Sequence, residues 1–102
     1  MPQEQNYVVE MTLRDIPPDV YQERGRAEME YTQEQMAAGK LTQLLVTENH
    51  KRYWMIFAVD DAQELQTVLQ GFPLHDYFDY KCHAVLDVVH ASKAGVTDPN
   101  LT

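Results

Sequence analysis

Polar and apolar residues alternate from the first strand of this chain onward. Over Tyr7–Arg14, Tyr7, Val9, Met11 and Leu13 point one way and Val8, Glu10, Thr12 and Arg14 the other, the pattern of a strand with one strongly apolar face. Asp15-Ile16-Pro17-Pro18-Asp19 breaks it. Asp19 is placed to cap a helix running to about Ala38, with Gly39 as its C-terminal stop. Leu41–Glu48 predicts a second strand, Asn49–Arg52 a short turn, and Tyr53–Val59 a third strand, apolar on both faces as suits a central position. Asp61 and Glu64 have capping-box spacing, and Leu65, Val68 and Leu69 form the buried stripe of a second helix. Gly71 is suited to a left-handed helix end, and Pro73 prevents the helix from resuming. Tyr77–Val88 alternates again, with Phe78, Tyr80, Cys82, Ala84, Leu86 and Val88 against Asp79, Lys81, His83, Val85 and Asp87. Ala91–Thr102 is a polar tail, too poor in apolar residues to pack alone.

The order β-α-β-β-α-β predicts an α+β, ferredoxin-like domain, an antiparallel sheet with two helices on one face. Its core spans residues 7–88 of a single domain, 1–102. Either face of Tyr53–Val59 is apolar: one carries Trp54 and Ile56, the other Tyr53, Met55 and Phe57. The face left uncovered by helices therefore presents an apolar patch, which predicts a homo-oligomer built at least from a sheet-to-sheet dimer.

Composition narrows the function classes. At 102 residues and 44% hydrophobic content the chain has enough apolar material for one core and too much for wholesale disorder. The formal charge of −8 repels phosphate backbones and anionic lipid, which argues against nucleic-acid binding. No apolar run has the length of a membrane span, and MPQEQN has neither the basic patch nor the apolar stretch of a signal peptide. A lone Cys82 excludes an internal disulfide framework, so the expected compartment is the cytoplasm. His50-Lys51-Arg52 is the only dense basic cluster, either a solvated hairpin tip or a clamp for a small anion.

The first helix carries the main chemical signal. At 100° per residue, Val20, Tyr21, Gly25, Ala27, Met29, Tyr31, Thr32, Met36 and Ala38 share one broad arc, and Gln22, Glu23, Arg26, Glu30, Gln33 and Glu34 fill the other. Arg24, Glu28 and Gln35 interrupt the apolar arc, and Glu28 lies near its centre. A carboxylate there must be paired, protonated or in a cavity. Two readings follow. In one, Glu28 reaches the rim and pairs with Arg24 four residues earlier. In the other, it stands in a pocket between helix and sheet, where burial raises its pKa toward the range of a general base or proton shuttle.

The remaining polar residues are weaker candidates. His50, His75, His83 and His90 lack metal-ligand spacing, and no metal site is expected. Cys82 alternates with Phe78, Tyr80 and Ala84, which predicts a buried, inert thiol. Tyr21, Tyr31, Tyr53 and Trp54 are candidates to line a pocket or simply to fill the core.

Several segments together resemble a known family. Val9-Glu10-Met11-Thr12-Leu13, Ala27-Glu28-Met29-Glu30, Gly39, Ile56-Phe57-Ala58-Val59, Glu64-Leu65, Leu69 and Phe72-Pro73-Leu74 follow at the spacing of muconolactone isomerases, over about residues 7–88. The resemblance implies a ferredoxin-like fold, sheet-stacked dimers assembling into a decamer, and an isomerase of aromatic degradation with no metal or organic cofactor. Such an enzyme moves a proton across a small unsaturated lactone and shifts its double bond. Glu28 falls on the family's acidic position and is the implied shuttle. Leu44-Leu45-Val46 stands where relatives tend to carry Leu-Trp-Arg, and Tyr53-Trp54-Met55 where they tend to carry Asn-x-Ser. Those departures remove a carboxylate anchor and two hydrogen-bonding groups. Lys51, Arg52 or Arg24 then becomes the candidate cation, Tyr53 the candidate donor and Tyr31 a further candidate pocket residue. The expectation is a divergent relative acting on a more apolar or aromatic small molecule. Two other functions fit the same fold: a cofactor-free oxygenase or cyclase, and a non-catalytic binder whose pocket is filled by Tyr53 and Trp54.

Overall fold

The computed structural model describes residues 4–86. Its elements are β1 (Gln5–Leu13), α1 (Pro18–Ala37), β2 (Leu41–Val46), β3 (Arg52–Val59), α2 (Ala62–Gln70) and β4 (Phe78–Val85), with a single 3-10 turn at His75–Tyr77. The strands form one antiparallel sheet in the order β2-β3-β1-β4, so β3 lies between β1 and β2 and the fold is ferredoxin-like. The expected extension of β4 to Val88 and the tail from Ala91 fall outside the described residues. β2 ends at Val46 rather than at Glu48, because Thr47 already closes the hairpin through its N–H to the Arg52 carbonyl at 2.9 Å.

Tyr7, Val9 and Met11 of β1 and Met55, Phe57 and Val59 of β3 face the helices and are buried with Leu65, Val68 and Leu69 of α2. Phe72, Leu74 and Phe78 complete this core; Phe72 and Phe78 meet edge to face at 6.3 Å between ring centroids. Trp54 and Ile56 therefore take the outer face, opposite Glu10 and Val8 in the ladder. In β2 a bulge between Leu41 and Gln43 breaks the alternation, so that Leu41 pairs with Phe57 and Leu44 with Met55. Two leucines three residues apart consequently share the helix-side face.

The two helices begin differently. Asp61 caps α2 as expected, its carboxylate accepting the Glu64 N–H at 2.8 Å. The return bond from Glu64 goes one residue further back, to the N–H of Asp60 at 3.4 Å. Asp19, in contrast, does not cap α1. The helix starts at Pro18 with Pro17 as its N-cap and no side-chain bond. A proline in the first turn lacks the N–H that a cap would satisfy, and Asp19 sits inside that turn, where its charge favours the helix dipole.

At its far end α1 stops as expected. Gly39 has φ of 76°, its N–H reaches the Met36 carbonyl at 3.0 Å, and Lys40 N–H reaches that of Gln35 at 3.0 Å, a Schellman closure. Gly71 departs from expectation: φ is −77°, so no left-handed turn requires it. It is instead a close-approach position. A Cβ there would lie 2.3 Å from the Tyr31 hydroxyl oxygen.

Candidate active site

No residue of α1 is buried. The helix stands off the sheet, and between them lies a cavity of about 380 Å³. Met11, Leu44, Tyr53 and Met55 form its sheet side, Phe72, Leu74 and Phe78 one end, and Tyr21, Glu28, Met29, Thr32 and Met36 its helix side. Glu28 is the only charged residue among the described residues that line it.

The local sequence fixes the Glu28 carboxylate in place. Gly71 and Pro73 end α2 in a turn that brings the Leu74 backbone over α1, and Leu74 N–H donates to Glu28 Oε1 at 2.9 Å. Arg24, one turn earlier, does not form the ion pair with Glu28 that its spacing permits. Its guanidinium donates to the Pro73 carbonyl at 3.4 Å, because that turn offers an acceptor next to the group Glu28 binds. Thr32, one turn later, donates from its hydroxyl to the Glu28 carbonyl at 2.9 Å. Burial pushes the Glu28 carboxyl above its ordinary value of 4.5, while the Leu74 N–H and the charge of His75 pull it back. The carboxylate is oriented, partly desolvated and facing apolar space, an environment in which a carboxylate can serve as a base.

The other candidate residues divide. Tyr53 lines the cavity, and burial, then Tyr21 and Glu28, raise its pKa, so it is a protonated donor at neutral pH. Tyr31 does not line it. Its hydroxyl donates to the Val68 carbonyl at 2.5 Å and its ring meets Phe72 edge to face at 4.7 Å, tying α1 to α2. Burial, followed by Glu28 and Glu34, raises its pKa.

Lys51 and Arg52 are not brought to the cavity. Lys51 pairs with Asp15 at 3.3 Å, and Arg52 lies over the Trp54 ring at 5.8 Å on the outer face. Both border an open groove of about 570 Å³ at the hairpin end, with Thr12, Thr47, Glu48, Asn49 and Trp54. That groove is a wide furrow between solvated side chains, so the cavity beside Glu28 is the stronger site. Trp54, on the wrong face of β3, does not fill the pocket. Cys82 is exposed rather than buried, since β4 runs past the cover of the helices, although partial burial still raises its thiol pKa.

Thr32, Leu44 and Met55 were not singled out by sequence as cavity residues. Thr32 follows Glu28 by one helical turn and Met55 shares a strand face with Tyr53, so both were within reach of a spacing argument. Leu44 was not, because the bulge in β2 decides which way it points. Among the described residues no cluster of three or more His, Cys, Asp or Glu is placed to hold a metal. None of the described helices is long and apolar enough to cross a membrane.

Comparisons with known proteins bear on the family and the fold. The family model described as muconolactone delta-isomerase matches residues 6–90. The chain belongs to the muconolactone delta-isomerase family. A crystal structure of muconolactone isomerase superimposes with a TM-score of 0.71, covering 85% of this chain and 97% of that one at 22% identity. A search of curated proteins gave no match. Family and fold support an isomerase-like function, and the low identity makes this chain a divergent member.

Proposed function

We propose that the protein is a cofactor-independent isomerase that shifts a carbon–carbon double bond in a small unsaturated lactone or a related product of aromatic degradation, with Glu28 as the proton shuttle. One observation carries this reading: a single carboxylate, oriented by the Leu74 N–H, projects at an otherwise uncharged and largely apolar cavity. Family membership supplies the reaction class.

In this reading ionised Glu28 takes a proton from a carbon at one end of the conjugated system. The C–H electron pair passes into the ring and generates a dienolate with its charge on the carbonyl oxygen. The Tyr53 phenol, kept protonated by its raised pKa, donates to that oxygen. Protonated Glu28 then returns the proton to the other end, which forms the new C–H bond, moves the double bond and restores the carboxylate. The cycle is balanced and needs no metal or oxidant.

A small-molecule substrate and a homo-oligomer belong to the same proposal. Val8, Trp54, Ile56 and the exposed Leu45 give the outer sheet face an apolar centre suited to stacking on a second copy, as a dimer and in larger rings up to a decamer. The mass of the purified protein in solution tests this.

The reaction is tested by proton NMR in D2O with unsaturated butenolides. Wild type is expected to exchange ring protons and interconvert the isomers, and Glu28→Gln to lose most of that rate. No exchange above buffer with wild type would end the isomerase reading and favour a binding protein. Full turnover by Glu28→Gln would favour the oxygenase or cyclase.

A further inference from the structure

We infer that the Glu28 cavity selects an uncharged compound, an unsaturated lactone or cyclic enone that carries no carboxylate. The inference deepens the proposed function and rests on Glu28 acting from inside that cavity.

The argument starts from the charges available. Every lining residue except Glu28 is neutral among the described residues. The three cations that sequence spacing offers as anchors are engaged elsewhere: Arg24 on the Pro73 carbonyl, Lys51 on Asp15, and Arg52 over Trp54 on the far side of the sheet. A carboxylate entering the cavity would stand beside ionised Glu28, among Met11, Leu44, Met55 and Phe72, with no cation among the described lining residues; His75, whose charge acts on Glu28, lies outside that lining. Two like charges in a partly desolvated space repel far more strongly than in water. The anion would also push Glu28 toward its protonated form, removing the base that the reaction needs.

Neutral polar groups fare better. The Tyr53 phenol and the Gln33 amide supply donors for a carbonyl or ring oxygen, and the apolar walls accept a hydrocarbon ring. The preference is therefore built into the cavity twice, by what is present and by what has been turned away.

Isothermal titration calorimetry tests it with two ligands that share one ring: an unsubstituted unsaturated butenolide and the same ring bearing an acetate side chain. The full chain is titrated at about pH 8, well to the alkaline side of the ordinary carboxyl range. Wild type is expected to bind the neutral lactone at least about tenfold more tightly. Glu28→Gln is expected to narrow the gap, because it removes the repelling charge and keeps a hydrogen-bond acceptor for Leu74. Met36→Arg is expected to move the preference toward the acid. Met36 lines the cavity at an exposed position about 12 Å along the helix from Glu28, so an arginine there meets a ligand without neutralising the base.

Equal or tighter binding of the acid by wild type would overturn the inference, and so would failure of the neutral lactone to bind. Exchange in D2O separates this result from the function itself. Glu28-dependent exchange of a preferred acid would leave the isomerase standing and refute the charge preference. Preferred binding of the neutral ring without exchange would leave the charge preference standing and refute the isomerase.

Discussion

The two helices solve opposite problems. Helix α2, nine residues long, buries Leu65, Val68 and Leu69 and is held by packing. Helix α1, twenty residues long, buries none; Val20 and Tyr31 only rest against the core, and polar contacts complete its attachment. Arg24, Glu28 and Tyr31 lie at i, i+4 and i+7 on one stripe, and each bonds to backbone between Val68 and Leu74. A helix fixed by side-chain tips can stand clear of the sheet, and the clearance is the cavity. Packing makes the core beside α2; spacing makes the site beneath α1.

The sharpest way to break this contrast is chemical. Glu28→Gln is expected to lower turnover by about 10²- to 10⁴-fold. Its unfolding midpoint should shift little, since the amide oxygen still accepts from Leu74. A large loss of stability would mean that the carboxylate is mainly a strut. Next in size is a packing pair. Leu69→Ala is expected to destabilise the fold by about 2–5 kcal/mol in urea unfolding. Met29→Ala, which removes a side chain of similar size at 65% exposure, should change it by about 0.5 kcal/mol or less. Comparable values would show that α1 packs as α2 does.

Gly71→Ala probes the seam between the helices. With a Cβ 2.3 Å from the Tyr31 hydroxyl oxygen, the ring must move and the bond to Val68 must break, for about 1–3 kcal/mol. In a Tyr31→Ala background the same substitution should be nearly neutral, and the double-mutant cycle measures the coupling. Additivity would show that the contact is not what restricts residue 71.

The smallest expected effect is on pH dependence. The native Glu28 carboxyl titrates above its ordinary 4.5, so folding takes up a proton between the two values. This contribution to stability is most favourable at or below the lower value and declines as pH rises through the native one. Wild type should therefore lose stability relative to Glu28→Gln across that window. The acid limb of kcat/KM should also lie above 4.5. A limb at or below that value would place the base in water.

Much of this contrast was legible in the sequence. Hydrophobic period 2 marked β1 and β4, a run apolar on both faces marked β3, Asp61 and Glu64 marked the start of α2, and Glu28 stood out because a carboxylate interrupts an apolar arc. What stayed hidden involved backbone partners. No pattern of side chains reveals that the Leu74 N–H and the Pro73 carbonyl would compete for Glu28 and Arg24 and separate two residues spaced to pair. Gly71 read as a left-handed helix end because that is glycine's commonest use there; its close approach to Tyr31 depends on a residue forty positions away. Cys82 read as buried because alternation tells the face of a strand and not how far the helices cover it.

The bulge in β2 has a consequence for how such a site diversifies. It lets Leu44 face inward while Gln43 and Leu45 face outward, opposite Ile56 and Trp54. Losing the bulge without losing a residue would turn the strand beyond it over, pairing Gln43 with Met55 and Leu45 with Tyr53 and putting Leu45 in place of Leu44 on the helix-side face, whereas deleting Thr42 would leave Leu44 inward. Straightening the strand at Thr42 would thus install a new specificity surface and a new outer face together, while a lost codon there would preserve both.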